Sequence, residues 1–299
     1  MTSETAGTGS PFGRVGIWSS ALHASRVDDA GGKAIAEALA ELDELGYGTV
    51  WIGGSPTPGD AAAVVAATRS ITVATGILSI WSHTAEEVAA AVSAIDPDAR
   101  RRFVLGLGVS HGPMVPQYAK PYSAMVEYLD ALDAAEPSVG SDHRVLAALG
   151  PKMLKLAADR SLGAHPYLVT TEHTAEARAA LGPGALLAPE LTAVLDTDLD
   201  RARTTARTML GMYLQLPNYT ANLLRLGFTE GDFDGGGSVR LLDALFALGD
   251  AEQVTRRTQE YLDAGADHVA LQVLTADEGG GGLPRAEWRQ LADAFGKEL

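Results

Sequence analysis

The chain has 299 residues, 46% of them hydrophobic, no cysteine and a formal net charge of −15. It is too apolar for a disordered protein, holds no thiol for a disulfide framework or thiolate metal site, and is too acidic for general nucleic-acid binding. No apolar run of about eighteen residues predicts a membrane span, and the opening residues lack the order of a secretory signal, so a cytoplasmic protein is expected.

Residues 1–11 read as a flexible tail and residues 12–299 as a single domain. A first strand is expected near 13–18. In "AIAEALAELDELGYGTVWIGG", Ile35, Ala38, Leu39, Leu42 and Leu45 form one helical stripe, Gly46 suits the left-handed helix end, and a strand follows at 49–53. The same helix–glycine–strand order recurs through Gly163 and Gly265. Further strands are expected near 71–78, 103–108, 144–149, 165–170, 185–189 or 191–195, and 268–274. Helical patterns fall at 120–136 and at 250–264, where Asp250 and Gln253 resemble a capping box. Residues 196–248 hold two helical stretches and read as an insertion over the mouth. Eight strands alternating with helices over this length favour a (β/α)8 TIM barrel, with a doubly wound open sheet as the rival.

In a barrel the chemistry sits where strands end and βα loops begin. "GLGVSHG" is not the dinucleotide fingerprint, because its third glycine comes one residue late and Pro113 and Pro116 interrupt the helix start. As a strand end it makes better sense: Gly106 and Gly108 leave room beside a planar ligand, and Ser110 and His111 emerge at the mouth. His111 is the expected acid–base residue, since imidazole titrates near neutrality. The lone Gly76 inside an apolar strand suggests a bulge. Ser79, Trp81 and His83 follow it at alternating positions; Trp18, Trp81 and His83 are candidates for the substrate wall. In "LGPKM" a proline opens a helix after Gly150, so the backbone N–H groups of Lys152 and Met153 are expected to receive an oxyanion. Neither a metal-ligand spacing nor a convincing nucleophile elbow is present.

Five segments, "LDELGYGTVWIGGSP" (42–56), "ATGILSIWSHTAEEVA" (74–89), "RFVLGLGVSH" (102–111), "LAALGPKMLKLAADRSLGAHPYLVT" (146–170) and "YLDAGADHVALQVL" (261–274), together resemble the luciferase-like barrels of the bacterial luciferase superfamily. The likeness is strongest to the actinobacterial branch that uses the deazaflavin coenzyme F420. It implies a non-prolyl cis peptide at Gly76–Ile77 and a coenzyme-binding set of Gly53, Gly54, Gly76, Ile77, Ser79, Ile80, Ser110, His111, Leu149, Gly150, Lys152 and Met153. His111 matches a position where a sugar-phosphate dehydrogenase of the family has a catalytic carboxylate. The chain departs from that enzyme at Gly53–Gly54, where the relative has an acidic residue followed by a catalytic histidine, and its substrate-phosphate lysines are not recognisable. The resemblance therefore implies an oxidoreductase passing a hydride between F420 and a small organic molecule other than a sugar phosphate. It also allows a homodimer. The alternatives are an FMN-dependent monooxygenase and a non-catalytic coenzyme-binding barrel.

Overall fold

The computed structural model describes residues 11–23, 29–275 and 282–299. The expected tail lies outside these residues except for Pro11, as does most of the loop that follows Leu274. The first half of the fold comprises β1 (Val15–Ser19), α1 (Asp29–Leu45), β2 (Thr49–Gly53), α2 (Pro58–Ala66), β3 (Thr72–Gly76), β4 (Leu78–Ser79), α3 (Ala85–Ser93), α4 (Pro97–Arg100), β5 (Phe103–Gly108) and α5 (Pro121–Ala134). There follow β6 (Arg144–Leu146), α6 (Pro151–Arg160), β7 (Gly163–Ala164), α7 (Thr171–Leu181), β8 (Leu186–Leu187) and β9 (Glu190–Leu195). The chain continues through α8 (Leu199–Tyr213), α9 (Pro217–Arg225), α10 (Val239–Leu245), β10 (Phe246–Gly249), α11 (Ala251–Asp263), β11 (Val269–Val273) and α12 (Arg285–Phe295).

Every strand pairing is parallel, in the order β10-β9-β11-β1-β2-β3-β5-β6-β7-β8, with β4 beside β5. Only Ala188 and Pro189 separate β8 from β9, so the two are pieces of one stave and the order returns on itself. The result is a closed barrel of parallel strands joined by helices, as expected for a (β/α)8 TIM barrel. Among the described residues, no helix is long and apolar enough to cross a membrane.

The period-two alternation of each strand sorts its side chains. Val50 and Ile52 of β2, Val73 of β3 and Phe103, Leu105 and Leu107 of β5 face the helices in the main core. Their neighbours Trp51, Ala74 and Val104 face inward and pack with Phe12, Trp18, Val145, Ala188 and Ala270. The interior is a column of rings. Trp51 stacks on His165 at 4.0 Å between centroids and donates its indole N–H to His268 Nε2 at 3.0 Å. Small inward residues leave room for that column: a Cβ on Gly16 would lie 2.7 Å from the His268 ring.

Several expected elements differ from those observed. The sixth strand is Gly163–Ala164 rather than 165–170. Pro166 has no N–H for the ladder, and Leu168 turns to φ 54° and gives its N–H to the Glu190 carboxylate at 3.1 Å. The two alternatives for the seventh strand are both present, divided by Pro189. Residues 196–248 contain three α-helices, not two, and the start of β10, which pairs with β9. This segment has its own apolar cluster, including Leu210, Leu216, Tyr219, Leu223 and Leu242.

Of the two β5 glycines expected to leave room for a ligand ring, Gly108 borders the cavity and Gly106 does not. A Cβ on Gly106 would meet the Thr75 carbonyl at 1.9 Å, and one on Gly108 would meet the Ile77 side chain at 2.5 Å. The space belongs to the interrupted third stave. Gly106→Ala is therefore expected to lower stability by about 2 kcal/mol or more, because the clash is with backbone; equilibrium denaturation measures it.

Candidate active site

A cavity of about 990 Å³ opens at the C-terminal ends of the strands. Its floor depends on a break in the third stave. β3 ends at Gly76, the Gly76–Ile77 peptide is cis, and β4 resumes beside β5. Trp18, from β1, covers this break: its indole N–H donates to the Gly76 carbonyl at 2.9 Å, and its ring lies where a Cβ on Gly53 would be, 2.2 Å away. From the other side the Ile77 side chain fills the space over Gly108. The neighbouring loops are tied in as well. The Ser79 N–H donates to Ser55 Oγ at 3.1 Å, and His23 Nε2 donates to the Gly53 carbonyl.

Ten of the expected site residues border the cavity: Trp18, Gly54, Gly76, Ile77, Ser79, Ser110, His111, Leu149, Gly150 and Met153. Five do not. Gly53 is sealed under the Trp18 indole. Ile80 packs in the helix-facing core, and its N–H donates to the Gly108 carbonyl at 3.0 Å. Trp81 and His83 do not border the cavity, because a turn closed by Ser82 N–H to the Ser79 carbonyl ends the strand alternation that would have aimed them inward. Trp81 instead donates to the Val109 carbonyl at 2.6 Å and packs on Tyr118, while His83 is exposed. Lys152 is also exposed and stands off the cavity wall. At the start of α6, the Met153 N–H is engaged by the Gly150 carbonyl at 3.1 Å, so it is not free as expected. The Lys152 N–H has no bond among the described residues.

The opposite wall comes from residues the sequence did not single out. Tyr213 of α8 donates its hydroxyl to the Tyr167 hydroxyl at 3.1 Å, which donates to Gln272 Oε1 at 2.7 Å. Tyr219 of α9 stands edge-on to Tyr213, with ring centroids 5.2 Å apart, and lies 5.4 Å from the His111 ring. Burial raises the pKa of all three phenols, those of Tyr167 and Tyr219 well above the ordinary range, so they remain hydrogen-bond donors. The one available cue was Tyr213 and Tyr219 flanking Pro217, within a segment already assigned to the mouth.

His111 is half-buried, and its Nδ1 donates to Asn218 Oδ1 at 3.2 Å, which leaves Nε2 as an acceptor. Burial lowers its pKa and the Asn218 bond opposes the shift, so the resting imidazole is neutral at pH 7. His165, at the barrel axis, is held further down, at about 4, chiefly by burial; its Nδ1 donates to the Ala188 carbonyl at 2.6 Å, and its Nε2 has no partner. Glu190 lies behind Leu168 and is pushed up to about 7 by burial, against the opposing hydrogen bonds from Thr192 and Leu168. It does not border the cavity. Among the described residues, no group of three or more His, Asp or Glu side chains could hold a metal ion.

Because the Asn218 bond is what raises the His111 pKa against burial, Asn218→Ala should move that pKa further down. A downfield imidazole resonance followed by NMR against pH reads the shift; an upward move or none removes Asn218 from the tuning of His111.

A family model for the luciferase-like monooxygenases matches residues 14–268. No curated protein matches the chain in sequence. Solved structures share the fold at low identity. One is an F420-dependent secondary alcohol dehydrogenase in complex with an F420–acetone adduct, 14% identical, with a TM-score of 0.69 over 94% of this chain and 98% of that one. Another is the coenzyme F420-dependent tetrahydromethanopterin reductase from Methanopyrus kandleri, 16% identical, with a TM-score of 0.65 over 95% and 97%. A third is the oxygenating constituent of 3,6-diketocamphane monooxygenase from the CAM plasmid of Pseudomonas putida, in complex with FMN: 14% identical, TM-score 0.66, over 96% and 98%. At these identities the structures establish the architecture alone. With the family model spanning most of the barrel, the chain belongs to the luciferase-like monooxygenase family.

Proposed function

We propose that the chain is an F420-dependent oxidoreductase that passes a hydride between the deazaflavin coenzyme and a small organic molecule. The observation that carries this reading is the meeting, in one cavity, of a backbone bulge, a helix start and a neutral histidine. The bulge at Gly76–Ile77 offers a flat, glycine-bordered surface to a ring. At the start of α6 a Cβ on Gly150 would meet nothing within 4 Å, and the Lys152 N–H is unengaged, so a phosphate can approach the backbone and the positive end of the helix dipole. Gly76, Ile77 and Ser79 would hold the ring, and Gly150, the Lys152 N–H and Met153 the phosphate end. When bound, F420 supplies or takes up a hydride.

The chain's own residues manage the proton that must move with it. With Nδ1–H committed to Asn218, the His111 Nε2 lone pair is placed to take a proton from a substrate hydroxyl in the oxidising direction. The imidazolium returns that proton when a carbonyl is reduced. The two glycines at 53–54 carry no proton, so the proton falls to the His111 imidazole, whose Nε2 is left open by the Asn218 bond. The cap of α8 and α9 shields the reacting centre from water.

A second reading keeps the site and changes the coenzyme to FMN, with monooxygenation as the chemistry. It is favoured by the family's description and by the FMN-bound neighbour, and the same cradle accommodates a flavin ring and phosphate.

Fluorescence titration of the purified protein with F420 and with FMN separates the two readings. The expected result is tighter binding of F420; FMN binding without F420 binding overturns the coenzyme assignment. His111→Ala should lower turnover by ~10²–10⁴-fold while leaving coenzyme binding intact. Alcohol oxidation should fall with acid through a limb below the ordinary histidine value, as Nε2 becomes protonated. Unchanged turnover in the alanine variant removes His111 from the mechanism.

A further inference from the structure

The cavity wall bears on what it can bind besides a coenzyme. Among the described residues, no Asp or Glu borders it, and the guanidinium that does, Arg201, is already occupied. Arg201 donates to Asp196 from both Nε and Nη2 and pairs with Asp198 at 3.3 Å. Among the described residues, a substrate anion entering here would find no free cation, and a substrate cation no facing carboxylate. Either would lose hydration without a paired charge, which is costly in a largely apolar enclosure.

The cap-side surface is instead aromatic and thioether. Tyr167, Tyr213 and Tyr219 meet as a cluster, and Met209 and Met212 line the same side along α8. Met212 is 58% exposed and Met114, across the mouth, is 63% exposed, so apolar groups stand open to solvent at the cavity rim. Aromatic faces and flexible thioethers favour apolar rings of varied outline.

The polar groups at this wall are nearly all spoken for. Tyr213 is bonded to Tyr167, and Tyr167 to Gln272. Tyr219 differs from the other two tyrosines: the residue is 5% exposed, borders the cavity, and its hydroxyl makes no hydrogen bond among the described residues. With no protein acceptor against it there, this hydroxyl can donate to a ligand oxygen in the cavity.

We propose that the cap-side half of this cavity takes an uncharged ring compound, aromatic or alicyclic, and that the Tyr219 hydroxyl donates to its one polar oxygen. This rests on the reading of the cavity as the active site, and it names the substrate class that His111 faces. An oxygen held by Tyr219 lies on the side of the cavity nearest the His111 ring, which suits a carbonyl or hydroxyl as the reacting group.

The test is isothermal titration of the full chain at neutral pH with three probes built on one bicycle: α-tetralone, α-aminotetralin as its ammonium, and tetralin-α-carboxylate. The ketone should bind about tenfold or more tighter than either ion. Tyr219→Phe, which keeps the ring and the packing, should weaken the ketone about 3- to 10-fold and leave the two ions unchanged. Equal or tighter binding of the carboxylate or the ammonium, no binding of the ketone, or a ketone affinity indifferent to Tyr219→Phe overturns the proposal. F420 and FMN are titrated separately into the same protein. Ketone selectivity without coenzyme binding would defeat the coenzyme reading and leave the substrate class standing; coenzyme binding without ketone selectivity would do the reverse.

Discussion

The site depends on how one break in the barrel wall is filled. The third stave is interrupted at Gly76–Ile77, and an interruption there exposes backbone that must be satisfied. Trp18 covers it from β1, donating to the Gly76 carbonyl and lying flat against Gly53. Ile77 fills it from within, over Gly108. Thr75 completes the seam to β5, donating its hydroxyl to the Gly106 carbonyl and accepting the Gly106 N–H, each at 2.8 Å. Gly53 and Gly76 are thus shaped by Trp18, Gly108 by the Ile77 side chain and Gly106 by Thr75. This accounts for Gly53: any larger side chain would displace the indole that closes the bulge.

Much of this frame was legible in the sequence because it rests on local rules. A helix stripe ending at Gly46 or Gly265 and running into a strand is set by periodicity and by the left-handed angle at the glycine, φ 92° and 107°. The bulge was legible because an isolated glycine in an apolar strand has few other uses, and the α6 start because proline fits the first turn. Where the reading failed, a local rule had been carried past its limit. Trp81 and His83 were aimed by strand alternation, but the strand had ended at Ser79. Gly106 and Gly108 announced empty space without saying what fills it, and the chain itself fills it.

The cap was hardest to read for a different reason. Tyr213 and Tyr219 belong to separate helices, and they meet Tyr167 and His111 only because α8 and α9 fold back over the barrel. No spacing within one element encodes that meeting. Tyr167 was hidden further, because the apolar run 165–170 resembles a strand while Pro166 and the turn at Leu168 convert it to cavity wall. Asn218 gives no signal at all until its amide is seen against His111.

Protonation in the cavity follows from burial. The three tyrosines are too deeply placed to ionise, and His165 is held neutral to about pH 4. Glu190 titrates near 7 but sits behind Leu168, its carboxylate spent on the Leu168 N–H and the Thr192 hydroxyl. His111, at the edge of the cap and tied to it through Asn218, is less deeply buried than His165, and burial lowers its pKa against the opposing Asn218 bond. The same helix α9 that supplies Asn218 to orient the imidazole supplies Tyr219 beside its ring. One short cap helix therefore sets the histidine's tautomer and presents an unpartnered hydroxyl next to it, so that shifting α9 would change proton transfer and substrate placement together.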